Sequence, residues 1–269
     1  MASGHTKTRR VWHWVLAAFL VWAAAAYIIL PRLWTHHERQ PGIRHMPMVT
    51  QTKQGIPGDP IDVGLVGTKE DVIRAMVAAG WRPADPVTLK SSVAIVGSVV
   101  LGRADPQAPV SPLFYDGRMQ DLAFEKEVGK SADRRDHVRF WKVLDVGAER
   151  EPVWLGSATY DRGVGLSHYT AAVTHHIGPD VDAVRDLLID DLKAADAVRT
   201  VYQVTGLGPT LFGRNGGGDA YYTDGEIWFA WLMPDGEKNP KPAIIIAPPP
   251  AVGAKDAIWS AVANLVGVE

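Results

Sequence analysis

Residues 11–30 read VWHWVLAAFLVWAAAAYIIL, twenty residues with His13 as the only strongly polar side chain. At about 1.5 Å of rise per residue, a helix of this length crosses the roughly 30 Å hydrocarbon layer of a bilayer. No other stretch limits the possible folds as sharply. Trp12 and Trp14 at one end, with Tyr27 and Trp34 near the other, suit the two membrane–water interfaces. Lys7, Arg9 and Arg10 precede the run, so the positive-inside preference keeps the N-terminus in the cytoplasm and puts everything after Leu30 outside. Arg32, Arg39 and Arg44 work against that bias. A cleaved signal peptide competes, because residues 23–26 are all alanine, but a signal core usually runs about 7–15 residues. The expectation is an uncleaved transmembrane anchor at 11–30 in the inner (plasma) membrane, with a cytoplasmic tail at 1–10 and an extracytoplasmic, periplasmic domain.

Charge excludes one broad class. Residues 1–49 carry six cations against Glu38, a net of +5, so the chain's formal net charge of −2 leaves −7 on residues 50–269. Nucleic-acid affinity rests mainly on neutralising phosphates, so no nucleic-acid partner is expected. The chain has no cysteine, which removes disulfides, thiolate metal sites and cysteine nucleophiles.

Residues 31–58, rich in proline, glycine, histidine and glutamine, read as a linker. Residues 61–66 form a short apolar strand. Thr68, with Asp71 three residues on, caps a helix that Gly80 ends and Trp81 folds back over. Residues 88–101 read as a helix or a strand, and 114–130 carry no assignable period. Residues 137–144 alternate, with His137, Arg139, Trp141 and Val143 on one face and Val138, Phe140, Lys142 and Leu144 on the other. They pair as a hairpin with 153–160. Residues 179–196 are an amphipathic helix. Strands at 198–204 and 226–233 flank a glycine-rich loop, and 236–269 hold a proline-rich segment and a terminal helix. The whole predicts an α+β domain over 59–235, a mixed or antiparallel sheet with helices packed on one face.

Chemistry is expected around residues 160–182. Four histidines lie beyond the N-terminal segment, and three of them, His168, His175 and His176, fall within nine residues. With Asp180 they form a candidate set for a divalent metal such as zinc or iron. Strand geometry restricts it: adjacent His175 and His176 face opposite sides, and His168 and His176 in one strand would lie ~26 Å apart. A shared site needs a turn between them, or His137 brought over from the neighbouring strand. The plainer reading gives Asp180 and Asp182 to the following helix N-terminus. Anion handling is a second candidate. His137 and Arg139 share a face, Asp161 and Arg162 open a glycine-containing turn, and Arg214, Asn215, Gly216 and Gly217 could offer backbone N–H groups. The catalytic candidates are therefore His137, Arg139, Asp161, Arg162, His168 and His176, with histidine as acid or base. The glycine run matches neither phosphate-loop nor dinucleotide motifs. A recognition surface without catalysis fits the same residues.

Several strings occur together in order: GDPIDVGLVG (58–67), AAGWRPADPVTLKSS (78–92), SPLFYDGRMQDLAFEK (111–126), HVRFW (137–141), ATYDRGVGLS (158–167), THHIGPDVDAVRDLLIDDL (174–192) and GRNGGGDAYYTDG (213–225). Over roughly residues 59 to 233 they resemble the LssY C-terminal domain family, named after a type I secretion component. Its members are often fused to polytopic modules similar to DedA proteins and to phosphatidic-acid-phosphatase-type lipid phosphatases; this chain has one span and no such phosphatase motif. The resemblance implies an envelope location and lipid-linked substrates, and transfers no catalytic residue. The expectation is a single-pass membrane protein serving as an envelope or secretion accessory or binding domain, with the membrane and other envelope membrane proteins as partners. The alternative is a phosphoesterase-like hydrolase of lipid-linked or phosphate-bearing substrates, with or without a histidine-held metal.

Overall fold

The computed structural model describes residues 4–29, 40–43, 45–96, 112–129, 134–171, 173–204 and 212–266. The chain divides into two units, Met1–His37 and Glu38–Glu269. The first holds helix α1 (Gly4–Ala24), continued by one π turn at Ala25–Ile29. Within it, Arg10–Ile29 is long and apolar enough to cross a membrane, and none of that span is buried.

The second unit begins inside the stretch read as linker. Ile43 is fully buried, and β1 (Val49–Gln51) pairs antiparallel with β2 (Pro57–Pro60). Strand β3 (Val63–Val66), buried throughout, leads into α2 (Lys69–Ala78). The Thr68 hydroxyl accepts the Asp71 N–H while the Asp71 carboxylate accepts the Thr68 N–H, a complete capping box. Gly80 takes φ +82, and the Trp81 N–H reaches back to the Met76 carbonyl at 2.9 Å. Trp81 is buried there and donates its indole N–H to Asp191.

Next come β4 (Arg82–Pro83) and α3 (Pro86–Val96), so the ambiguous run is helical; its residues 97–101 lie outside the described ones. The unassigned 114–130 stretch holds β5 (Phe114–Tyr115), β6 (Arg118–Met119) and β7 (Leu122–Glu127). Strands β8 (Arg135–Leu144) and β9 (Val153–Leu166) form the expected hairpin, with β9 longer than its apolar part suggested. β10 (Val173–Ile177) folds back on β9. Helix α4 (Asp182–Ala194), β11 (Val198–Val204), the small hairpin β12 (Phe212–Arg214) and β13 (Ala220–Tyr222), β14 (Ile227–Leu232), β15 (Ile244–Ile245) and α5 (Pro250–Val266) complete the chain.

The main sheet runs β15-β11-β14-β3-β9-β8-β7-β4, with β10 also on β9. Only β11/β15 and β14/β3 are parallel pairs among the described strands, so the sheet is mixed. Val72, Ile73 and Met76 of α2 and Val184, Leu188 and Leu192 of α4 pack on one face against Leu65, Phe140 and Trp154. Each such buried side chain stabilises the fold by about 1.5–3 kcal/mol. The other face carries Trp141, Leu155, Tyr202 and Phe229 under Ile43, Leu113 and Tyr115, next to the four-stranded sheet β2-β1-β5-β6. A register shift between Lys142 and Leu144 turns Leu144 onto this second face, against the alternation expected from sequence. At the foot of α4, buried Arg185 grips Asp224 with two hydrogen bonds, 2.8 and 3.1 Å, and Asp182 with a third.

Gly64 pairs with Phe229, whose ring stacks on Tyr202 with centroids 5.4 Å apart. A Cβ at Gly64 would overlap that ring. Gly64→Ala should therefore cost about 1–3 kcal/mol in chemical unfolding of the full chain. An unchanged midpoint would show that the stack has room to shift.

Candidate functional site

The second face of the sheet changes character along its strands. Where Trp141 opposes Leu155 it is apolar; two residues on, Arg139 opposes Ser157, then His137 opposes Thr159 and Arg135 opposes Asp161. On the other edge of β8, Glu125 of β7 opposes His137. Directly opposed residues share a face, so the pleat gathers Glu125, His137, Arg139 and Asp161 into one buried polar row. His137 is held from both sides: Nδ1 lies 2.7 Å from Asp161 Oδ2 and Nε2 lies 3.3 Å from Glu125 Oε2. The same Glu125 oxygen accepts from Arg135 at 2.9 Å. Burial disfavours charge on the ring, but Asp161 and Glu125 outweigh it and the His137 pKa is raised. Burial likewise opposes ionisation of Glu125 and Asp161; His137, with Arg135 beside the first and Arg139 beside the second, holds both pKa values down. Each ring nitrogen of His137 thus faces a carboxylate oxygen, and the two carboxylates together favour the charged form of the ring.

Arg139 reaches from this row to Asp59, at 3.6 Å, and Asp59 accepts the Asn215 side-chain N–H at 3.2 Å. Burial raises the Asp59 pKa despite Arg139. These three, with Lys53, Asp161 and His175, line a cleft of about 280 Å³.

Asp161 pairs with Arg135 on β8 and with Ile177 on β10, so β10 lies on the edge of β9 away from β8. His175 lines the cleft, half-buried, and burial lowers its pKa, with His137, Arg139 and Arg135 reinforcing the shift against Asp161. His176 instead lies over Gly165 and meets Asp219, with Nδ1 2.8 Å from Oδ1. β9 ends at Leu166, and the turn after it carries His168 back to His176, ring centroids 5.6 Å apart. The same Asp219 oxygen lies 4.0 Å from His168 Nε2 and 3.8 Å from Arg162 Nη2, while Oδ2 accepts the Ile177 N–H. One potential ligand atom from each of His168, His176 and Asp219 falls within 4.8 Å of the others.

The structure thus sorts the candidates into two groups, His137, Arg139, Asp161 and His175 about the cleft, and His168, His176 and Arg162 about Asp219. Asp180 joins neither; its Oδ1 accepts the Ala183 N–H at the start of α4. In the glycine loop, Gly216 and Gly217 line the cleft. The Gly217 N–H bonds to the Asn215 side chain and the Gly218 N–H to the Asn215 carbonyl, while Arg214 donates to the Gly218 carbonyl. Asn215 also receives the Asp219 N–H, so the loop aims Asp219 more than it offers amides to an anion. Asp219, Asp59 and Glu125 escaped the sequence reading; only the place of Asp219, directly after the glycine run, hints at its role.

The His137 frame has a definite pH signature. Its raised pKa means that its stabilisation is complete below the unfolded value of about 6.5 and is lost as pH rises through the folded value. The lowered carboxylates stabilise above about pH 4.3 and lose that contribution as pH falls through their folded values. In urea unfolding across pH, His137→Gln should destabilise the full chain most in mildly acidic buffer and progressively less towards alkaline pH. A pH-independent difference would remove the charge from the account.

Residues 43–227 match the profile of the family described as LssY C-terminus. The protein nucleotidyltransferase YdiU of Sphingopyxis alaskensis is 32% identical over 117 residues, 44% of this chain and 21% of that protein. The chain therefore spans about a fifth of the length of that curated relative. No solved structure matches. The profile match runs from the first buried isoleucine of the second unit into β14, well over half of the 269 residues, and the chain belongs to the LssY C-terminal domain family.

Proposed function

We propose that this chain is a single-pass inner-membrane protein that holds its LssY domain outside the cytoplasm, and that the cleft binds the phosphate-bearing head of a lipid-linked or soluble envelope molecule. The domain would act as a binding or accessory module of the envelope or of secretion. The observation that carries this reading is Arg139. It is 6% exposed at the cleft wall, its closest described carboxylate lies 3.6 Å away, and its Nε has no hydrogen-bond partner among the described residues. A buried guanidinium left so loosely paired is costly, and a phosphate matches its fork of donors. Asp161, the nearby acid, is engaged with His137, and burial of Asp59 eases its protonation when an anion takes over Arg139. Lys53 adds a second cation to the cleft.

One observation favours a hydrolase as the second reading. His175 stands in the same cleft with its pKa lowered, so near neutrality its ring is uncharged and can accept a proton. The nucleotidyltransferase likeness, confined to a fifth of that protein, adds nucleotides to the ligands worth trying.

Calorimetric titration of the full chain in detergent with inorganic phosphate, glycerol phosphate, a nucleotide and short-chain phosphatidate should show binding that Arg139→Gln weakens by about 1.5–3 kcal/mol. Equal binding by a folded Arg139→Gln variant would refute the cleft reading. Phosphate release from the bound ester, lost in His175→Gln, would establish the hydrolase; binding without release would leave the accessory module. An alkaline phosphatase fused after residue 266 should be active, and an inactive enzyme there would overturn the topology.

A further inference from the structure

The tip of the β9–β10 hairpin carries a constellation that the cleft does not use. His168 comes from the turn, His176 from β10, and Asp219 from the loop between β12 and β13. Three observations indicate a built site. The first is room. A Cβ at Gly165 would strike the His176 ring, and one at Gly218, which has φ +91, would come within 2.7 Å of the His168 Cβ. Two glycines therefore make space for two imidazoles. The second is support behind the donors. The Ile177 N–H fixes one Asp219 oxygen, Asn215 holds the Asp219 N–H, and the His168 N–H bonds to the Gly217 carbonyl at 2.8 Å. Such outer contacts orient ligands before an ion arrives. The third is graded exposure: the side chains are 64% exposed at His168, 24% at His176 and 4% at Asp219. A buried carboxylate thus faces a solvent-open histidine.

We propose that His168, His176 and Asp219 bind one divalent transition-metal ion, with at least one coordination position open to solvent. Bonds of about 2.0–2.1 Å at a tetrahedral angle place ligand atoms about 3.3 Å apart. The observed separations from Asp219 Oδ1, 2.8 Å to His176 Nδ1 and 4.0 Å to His168 Nε2, bracket that spacing. Two imidazoles and a carboxylate suit zinc or ferrous iron, whereas calcium and magnesium take oxygen donors. Arg162 stands 3.8 Å from the shared oxygen and places a cation next to the ligand set. Its side chain is 53% exposed, so it can turn to solvent at little cost. His175 has no part in this site, since it lines the cleft.

The test is metal titration of the full chain in detergent after chelator treatment and dialysis, with zinc followed by calorimetry and cobalt(II) by its visible ligand-field bands. The wild-type chain should take up one ion whose cobalt spectrum reports nitrogen and oxygen ligation. His168→Gln, at an exposed position that the fold does not need, and Asp219→Asn should each weaken that uptake about tenfold or more. Exposed His45→Gln should leave it unchanged. Absence of a stoichiometric ion in the wild type, or uptake by His168→Gln equal to wild type, would overturn the proposal. The site does not depend on the cleft reading, because phosphate binding is read through Arg139 and metal uptake through His168.

Discussion

The pairing of His137 with two carboxylates is the interaction on which the polar half of this sheet depends. Glu125, His137 and Asp161 come from three adjacent strands, and all are buried. Taking any one of these charges out of water alone would cost several kcal/mol, so each is tolerable only because the others are in place. Removing the imidazole would leave two buried carboxylates facing each other across β8. The row thereby fixes which side chains can stand at the cleft. With Asp161 engaged by His137, Arg139 is left with Asp59 at a distance too long for a good hydrogen bond.

A neutral frame of a different kind supports the neighbouring group. Asn215 bridges the two halves of the site: its amide donates to Asp59 at the cleft, and its carbonyl oxygen collects the N–H groups of Gly217 and Asp219. One side chain thus orients a carboxylate of the cleft and the loop that carries Asp219. Preorganisation of this sort serves either ligand recognition or catalysis, because it lowers the entropy lost when a ligand is fixed. The opposite face of the sheet is apolar against α2 and α4, and it supplies the rigidity that such precision needs.

Much of the scaffold was legible because its signals are local. The Thr68–Asp71 capping box, the Gly80 stop, the β8 alternation and the α4 stripe each require only a few neighbouring residues. The shared face of His137 and Arg139 followed from the same period of two. The geometric argument that His168 and His176 need a turn to meet also agrees with the chain reversal after Leu166. What stayed hidden is long-range. Asp219 lies 43 residues from His176 and Asn215 lies 156 from Asp59, and no periodicity links such positions. The place of Asp180 at a helix N-terminus was open to sequence reasoning because the helix follows directly, whereas only the fold brings Asp219 to the histidines. The bulge that turns Leu144 was invisible because its neighbours fit the alternation.

The LssY C-terminal family match covers residues 43–227, and the apolar helix at Arg10–Ile29, long enough to cross a membrane, precedes it in the chain. The central claim is that Arg139 is a buried cation awaiting an anion, and nuclear magnetic resonance of its Nε–H tests it most directly. On titration with a short-chain phosphatidate, that resonance should shift and slow its exchange with water, together with shifts in the His175 ring. Saturable binding that leaves both signals where they were would contradict the account.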